Sequence, residues 1–173
     1  MDTKLKSDIA ESAVITELLK RGFAVLRPVG DRLPDDLAVD IQGTSIIRIQ
    51  VKCAWYDAGK RLYSVDVRRT KTNRRIMRRT RHHSRDFDIA FVYLPDREVF
   101  YVLPVNIFTN YQSGLSLVEG ERRQRKPRSA MYRERWDLLS SFRRRNTTME
   151  HVLRQPALIR TFLSHRNSRR CTR

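Results

Sequence analysis

The sequence predicts an α/β protein in which one amphipathic helix precedes a mostly β middle and a basic, helical C-terminal extension. Three observations support this fold class. Apolar residues recur at helical spacing near the N-terminus, strand-like apolar runs separated by Gly, Pro and Asp follow, and the C-terminal third is rich in arginine. A length of 173 residues suits one domain with tails, and an apolar content of 40% indicates a folded chain.

The first element is a helix predicted over residues 8–21. Ser7 has the side chain of an N-cap, and Gly22 is the usual kind of residue after a last helical turn. Apolar residues three to five positions apart lie between them, at Ile9, Ala13, Val14 and Leu18.

Strands follow the helix along most of the middle of the chain. They are predicted over residues 23–27, 37–41, 46–54, 61–67, 87–94 and 99–105. Residues 95–98 have turn composition and join the last two strands as a hairpin. The basic stretch 70–85 lacks clean periodicity and is interpreted as a helix or an ordered loop, in which His82 and His83 are expected to contact phosphate or solvent. A short helical turn after Pro104 and helices over 131–142 and 151–163 complete the prediction.

The charge is unevenly distributed and favours a polyanionic partner. Residues 1–59 carry 8 basic and 9 acidic side chains, whereas residues 60–173 carry 28 and 10. Arginine outnumbers lysine 29 to 7, and its planar guanidinium suits bidentate contacts to phosphate and guanine. We therefore expect nucleic acid as the partner. No apolar run reaches the roughly 18 residues of a membrane span, and we expect a cytoplasmic protein that associates with the nucleoid when on DNA.

The candidate site depends on the parity of two strands. Side chains alternate faces along a strand, so Gln50 and Lys52 lie opposite the apolar Ile49 and Val51. Asp36 shares their face only if the connection around Gly43 has an odd number of residues, because an even-length turn would place it on the apolar side. A three-residue turn is the expectation.

A carboxylate, an amide and a lysine on one face suit phosphodiester hydrolysis. Asp36 can hold a hard cation such as Mg²⁺, which prefers oxygen ligands, and the cation would acidify water and neutralise charge on a phosphate. Lys52 could orient or deprotonate the attacking water, or stabilise the transition state. Glu11 adds a second carboxylate if its helix packs beside the hairpin. Asp35 remains an alternative ligand at the end of the preceding loop, and Asp36 is preferred on parity.

The pattern Glu11 … Pro34-Asp35-Asp36 … Gln50-Val51-Lys52 resembles the PD-(D/E)XK nuclease superfamily. More narrowly, it resembles the PD-(D/E)XK homing endonucleases encoded in group I introns, and also archaeal Holliday junction resolvases. The likeness covers roughly residues 7–108. It implies a restriction-endonuclease-like core, with a central mixed β-sheet flanked by helices, and metal-dependent cleavage of DNA.

The resemblance also implies roles for individual residues. The catalytic set is Glu11, Asp36, Gln50 and Lys52, and the metal ligands are Asp36, Gln50, Val51 and Glu11. The ion is Mg²⁺, for which Mn²⁺ would substitute. Gln50 stands where most of the superfamily has Asp or Glu, and the intron-encoded branch has glutamine there. Because glutamine removes one negative charge, one-metal chemistry is a hypothesis.

The resulting prediction is a site-specific DNA endonuclease that acts as a homodimer or homotetramer. Residues 1–110 form the nuclease core and residues 111–173 the basic helical extension. The DNA-contacting segment is 68–85, with contacts expected from Arg68, Arg69, Lys71, Asn73, Arg74, Arg75, Arg78, Arg79 and Arg81. The alternatives are a structure-specific nuclease such as a junction resolvase, or a non-catalytic nucleic-acid-binding protein on a nuclease-like core.

Overall fold

A computed structural model of the chain describes residues 2–30, 32–43, 45–72, 77–120 and 127–141. It confirms the predicted α/β class, since a long N-terminal helix packs on a mixed β-sheet in these residues. Within the same residues, no helix combines the length and hydropathy that crossing a bilayer requires.

Helix α1 spans Thr3–Lys20, so the predicted start was wrong by about one turn. The side chain of Asp2 accepts a hydrogen bond from the Lys4 amide at 3.3 Å and caps the helix. Ser7, the predicted cap, therefore lies inside the helix. The predicted stop is confirmed, because Gly22 adopts a left-handed conformation with φ of 78° directly after the helix.

The central sheet positions the candidate site. Its order is β1-β2-β3-β8-β9. The strands are β1 (Ala24–Leu26), β2 (Leu37–Ile41), β3 (Ser45–Cys53), β8 (Ile89–Leu94) and β9 (Val99–Pro104). Strands β3 and β8 are parallel and the other pairs are antiparallel. All five lie within a residue or two of the predicted ranges, and the hairpin turn at 95–98 is confirmed.

Each face of the central sheet has its own apolar core. On one face, Val14 and Leu18 of α1 are fully buried and pack in the same cluster as Ile49 and Phe91. A second sheet covers the other face; it consists of β4 (Trp55–Asp57), β5 (Leu62–Asp66) and β10 (Gly114–Leu117). All six residues of β8 are buried, which explains why that strand reads as a continuous apolar run.

The basic segment forms a two-stranded ribbon, so the prediction of a helix or loop over 70–85 was wrong. Strands β6 (Arg69–Thr72) and β7 (Met77–Thr80) pair antiparallel. Arg69 lies opposite Thr80, and Thr70 lies opposite Arg79. The β-branched threonines suit extended backbone, but the ribbon lacks the apolar alternation by which strands are recognised in a sequence. Residues 73–76 lie outside the described part of the chain.

The C-terminal elements are shorter than predicted. Helix α2 (Val105–Phe108) follows Pro104 as expected. The predicted helix 131–142 is wrong in extent, since a 3-10 helix occupies Arg128–Tyr132 and residues 137–141 are helical. Between these two segments, Glu134 has a left-handed backbone conformation, with φ of 53°, which breaks the helical path. The predicted helix 151–163 lies outside the described residues.

Candidate active site

The β2–β3 hairpin satisfies the parity condition. Leu37 pairs with Ile49 and Ile41 with Ser45, so residues 42–44 form a three-residue connection. Within it, Gly43 has φ of 70°, and its amide donates to Asp40 Oδ1 at 2.8 Å. Directly before β2, the Asp36 amide donates to the Ile49 carbonyl at 2.9 Å. The side chain of Asp36 then meets that of Gln50, which donates to it.

Asp36 is the centre of the site. Its Oδ2 accepts hydrogen bonds from the Gln50 amide nitrogen Nε2 and from the Val51 main-chain N–H, the latter at 2.7 Å. Burial raises the pKa of Asp36 to about 6, and the negative charge of Glu11 adds to the rise. The Val51 N–H and the charge of Lys52 act in the opposite direction. The site thus holds a partly buried carboxylate whose ionised form is costly.

Lys52 lies on the same face, and its Nζ donates to the Arg68 carbonyl at 3.1 Å. Burial lowers the pKa of Lys52, and Asp36 and Asp66 oppose that change. The carboxylate and the ammonium are close enough to shift each other's pKa. The predicted convergence of Asp36, Gln50 and Lys52 is therefore present.

Glu11 reaches the site from α1. Its Oε2 accepts from Arg27 Nη2 at 3.0 Å. Burial raises the pKa of Glu11, and Asp8 adds to the effect, whereas Arg27 lowers it. Since Glu11 also raises the pKa of Asp36, the two carboxylates lie near one another on different elements.

Val51 offers its main chain rather than its side chain. The side chain is in the α1-facing core, with 4% of the residue exposed. Its carbonyl accepts from Gln50 Nε2 at 3.4 Å and so lies beside the amide that contacts Asp36. Asp35 is buried as well, but the hydrogen bonds from Gln50 and Val51 are made to Asp36. The geometry thus favours Asp36 over Asp35.

The donor set suits a hard cation. It comprises the carboxylates of Asp36 and Glu11, the carbonyl of Val51 and, after a rotation of its amide, the Oε1 of Gln50. In the described residues, three or more His, Cys, Asp or Glu side chains do not gather as a metal cluster.

The predicted DNA-contacting residues are distributed along the ribbon. Arg68 pairs with Asp66, Arg69 Nη2 donates to the Leu33 carbonyl at 3.1 Å, and Arg81 Nη2 donates to Gln112 Oε1 at 3.3 Å. Arg79 is exposed. Asn73, Arg74 and Arg75 lie outside the described residues, and Lys71 and Arg78 are described by their backbone pairing alone.

Sequence reasoning missed one contact near the site, the ion pair between Arg48 and Asp88 at 3.2 Å. Asp40 faces Ile46 across the hairpin, since the three-residue turn sets that register. In the sequence, this contact could have been suspected from Asp88 itself, because it is an aspartate near the start of the apolar run 87–94.

His82 was expected to contact solvent or phosphate, and this was wrong. Its side chain is 1% exposed and packs edge-on against the rings of Phe87 and Phe108. Burial lowers the pKa of His82 to about 4, and the charge of Lys52 adds to the decrease. The imidazole of His82 is therefore neutral and lies in the protein interior.

Comparisons with known proteins match this chain to a family and to a solved structure. A family model described as PD-(D/E)XK endonuclease matches residues 1–139. Among solved structures, the bacterial homing endonuclease I-Ssp6803I is 48% identical to this chain, with a TM-score of 0.74. That match covers 80% of this chain and 93% of the other. None of the curated proteins that were searched matches.

Proposed function

Because the chain belongs to the PD-(D/E)XK endonuclease family, we propose that it is a Mg²⁺-dependent enzyme that cuts long, specific sites in double-stranded DNA. Nuclease activity follows from the family, whereas the ion and the site specificity are the proposal. The observation that carries it is the convergence of Asp36, Gln50 and Lys52 on one face of the β2–β3 hairpin. The likeness to a homing endonuclease supports the specific-site form of the activity.

The proposed metal ligands are Asp36, Glu11, the Gln50 amide oxygen and the Val51 carbonyl. Nucleases of this family generally use divalent metal ions. The raised pKa of Asp36 supports the assignment, because a cation beside this carboxylate would offset the cost of its ionised form. When bound, Mg²⁺ supplies positive charge against the scissile phosphate and lowers the pKa of a water molecule.

Lys52 is the proposed catalytic lysine. Its ammonium is partly buried and hydrogen-bonded to a carbonyl, so it is held in one place. From there it can donate a hydrogen bond to the attacking water or to a phosphate oxygen, and so oppose the negative charge that develops as the P–O bond breaks. The Val51 N–H holds the Asp36 carboxylate in orientation.

The ribbon β6–β7 is the proposed DNA-reading element. A two-stranded antiparallel ribbon fits the major groove, where base pairs present distinct patterns of donors and acceptors. Its exposed arginine, Arg79, is suited to phosphate or guanine contacts. Residues 1–110 would supply most of the nuclease core and this ribbon, with β10 completing the second sheet, and the basic residues within 111–173 would add surface for the DNA backbone.

We also propose that two or four chains act together. Each chain contains one candidate site of the kind described above, and a double-strand cut requires hydrolysis on both strands. A symmetric pair of chains would place one site on each strand.

The test is cleavage in Mg²⁺ of a plasmid library that carries random long sites, with four-way junctions offered in parallel. Wild type is compared with Asp36→Asn and Lys52→Met. The matched controls are Asp57→Asn and Lys60→Met, because Asp57 and Lys60 form an ion pair of 3.4 Å in a turn after β4. We expect wild type and controls to cut one family of duplex sites, and both site variants to bind DNA without cutting.

Two outcomes would contradict the proposal. Cutting of junctions in preference to any duplex would replace the homing-type activity with a structure-specific one. Salt-sensitive binding without cleavage in Mg²⁺ or Mn²⁺ would leave a DNA-binding protein.

A further inference from the structure

The ribbon is attached to the fold at two points, both beside the strand that carries Lys52. We call residues 66–69 the entering foot and residues 81–88 the leaving foot. The ribbon strands themselves contact each other rather than the central sheet. Its position relative to Lys52 is therefore determined at these feet.

The entering foot is held by Asp66. Its carboxylate accepts from the Arg68 main-chain N–H at 2.9 Å and from the Arg68 guanidinium at 3.0 and 3.2 Å. These bonds fix the turn that presents the Arg68 carbonyl to Lys52 Nζ, which donates to it at 3.1 Å. Asp66 thus acts on Lys52 through one peptide unit.

The leaving foot is held by Asp88. Arg48 lies on β3 on the same face as Lys52, and its guanidinium contacts Asp88 Oδ1 at 3.2 Å and the Arg85 carbonyl at 2.7 Å. The Asp88 carboxylate also accepts from the Arg48 main-chain N–H at 2.8 Å, and the Asp88 N–H donates to the Arg48 carbonyl at 2.9 Å. The foot is therefore bonded to main chain and side chain of the strand that carries Lys52.

These carboxylates differ from ordinary surface ion pairs. An isolated exposed pair joins two mobile side chains and contributes little stability. Here each aspartate accepts from a main-chain N–H as well as from a guanidinium. Asp88 bonds the leaving foot directly to Arg48 of β3, whereas Asp66 orders the turn at Arg68, whose carbonyl accepts from Lys52 of β3. Such bonds restrict position, and small errors in position near reacting groups slow catalysis strongly.

We propose that Asp66 and Asp88 are positioning residues, Asp88 by tying the leaving foot to β3 and Asp66 by ordering the turn whose carbonyl meets Lys52, so that the seating of the ribbon on DNA sets where Lys52 meets the scissile phosphate. This inference rests on the proposed function. It assigns the two aspartates no contact with substrate. Their effect is on which phosphodiester is cut and how fast, rather than on how tightly DNA is held.

The test compares wild type with Asp66→Asn, Asp66→Ala, Asp88→Asn and Asp88→Ala. The control is Asp137→Asn, because Asp137 forms an ion pair with Arg135 at 2.7 Å and is 62% exposed. The probe is the duplex that wild type selects from the plasmid library. Single-turnover cleavage in Mg²⁺, the dissociation constant in EDTA, the thermal midpoint and the cut position at nucleotide resolution are measured for each protein.

We expect the alanine variants to cleave about tenfold more slowly or worse, with DNA affinity unchanged or slightly higher because a negative charge is lost. Cleavage should spread to neighbouring phosphodiesters, which simple destabilisation would not cause. Asparagine keeps an accepting oxygen, so it should restore part of the rate and of the cut precision.

Three results would overturn the inference while the proposed function stood. These are cut positions identical to wild type, equal effects of asparagine and alanine, or rates that match those of the control. If an alanine variant fails to fold, the asparagine variants decide alone. If wild type itself does not cleave, the proposed function has failed instead.

Discussion

Replacement of Asp36 by asparagine should stabilise the folded protein while it abolishes cleavage. The pKa of Asp36 is about 6 in the folded chain against an ordinary value of 3.8. A tenfold change in an acid dissociation constant corresponds to about 1.4 kcal/mol, so above pH 7 the ionised carboxylate lowers the free energy of unfolding by about 3 kcal/mol. Asparagine resembles the protonated acid, and its oxygen can still accept from the Val51 N–H. At pH 8 and without metal, we expect a gain of about 2–3 kcal/mol.

The stability difference between wild type and Asp36→Asn should depend on pH. Because the folded pKa is raised, wild type gains stability as the pH falls from about 6 to below 4, and its difference from the variant should vanish there. Urea unfolding in EDTA at pH 8 and pH 4 measures both values, with Asp57→Asn as the control, because hydrogen bonds from the Lys60 turn lower the pKa of Asp57 rather than raise it. Mg²⁺ should raise the thermal midpoint of wild type more than that of the variant. A variant less stable than wild type at pH 8 would refute the reasoning.

Three further predictions concern neighbouring features. Between pH 7 and 5, the free energy of unfolding of wild type should fall by about 2 kcal/mol, because the folded pKa of His82 is about 4 and the unfolded chain binds the proton first. His82→Phe should remove this fall, and equal falls in urea titrations of both proteins would contradict the prediction. Trp55 is 43% exposed on β4, which pairs with the β5 strand that bears Asp66. In a Trp136→Phe background, DNA should therefore quench the fluorescence emission of Trp55, and an unchanged spectrum would place Trp55 away from DNA. Arg79→Ala should lower the slope of log affinity against log salt by about 0.9 if Arg79 contacts a phosphate, and an unchanged slope in salt-dependent binding assays would exclude that contact.

The core of the site could be predicted because it is local. The faces of β2 and β3 follow from counting residues across the turn between them, once that turn is expected to have three residues. Asp36, Gln50 and Lys52 lie on either side of it. The family was predicted from the same residues with Glu11, and the match over residues 1–139 confirms it. The roles assigned to these residues stay predictions.

The errors have a different physical origin. The partner of Arg48 depends on the parallel pairing of β3 with β8, which joins Ile49 to Ile89 and leaves no local pattern. The ribbon lacks apolar alternation, so the sequence does not indicate that its strands pair. His82 was assigned to solvent because of its arginine-rich neighbours. At the N-terminus, Asp2 and Ser7 are both good caps, and local preference could not choose between them.

The parallel pair β3–β8 has a consequence for how this protein can diversify. Strands β4 and β5 and the ribbon lie in the sequence between these two adjacent strands. The chain leaves β3 after Cys53 and returns at Asp88, whose N–H is bonded to the Arg48 carbonyl at 2.9 Å. The groups proposed for chemistry on the hairpin lie within residues 36–52, outside that excursion. Residues at the ribbon tip can therefore change in sequence or number while the hairpin keeps its register. In such a layout, target choice and bond cleavage can be selected separately, and transplanting ribbon tips between related chains becomes a practical route to new cutting sites.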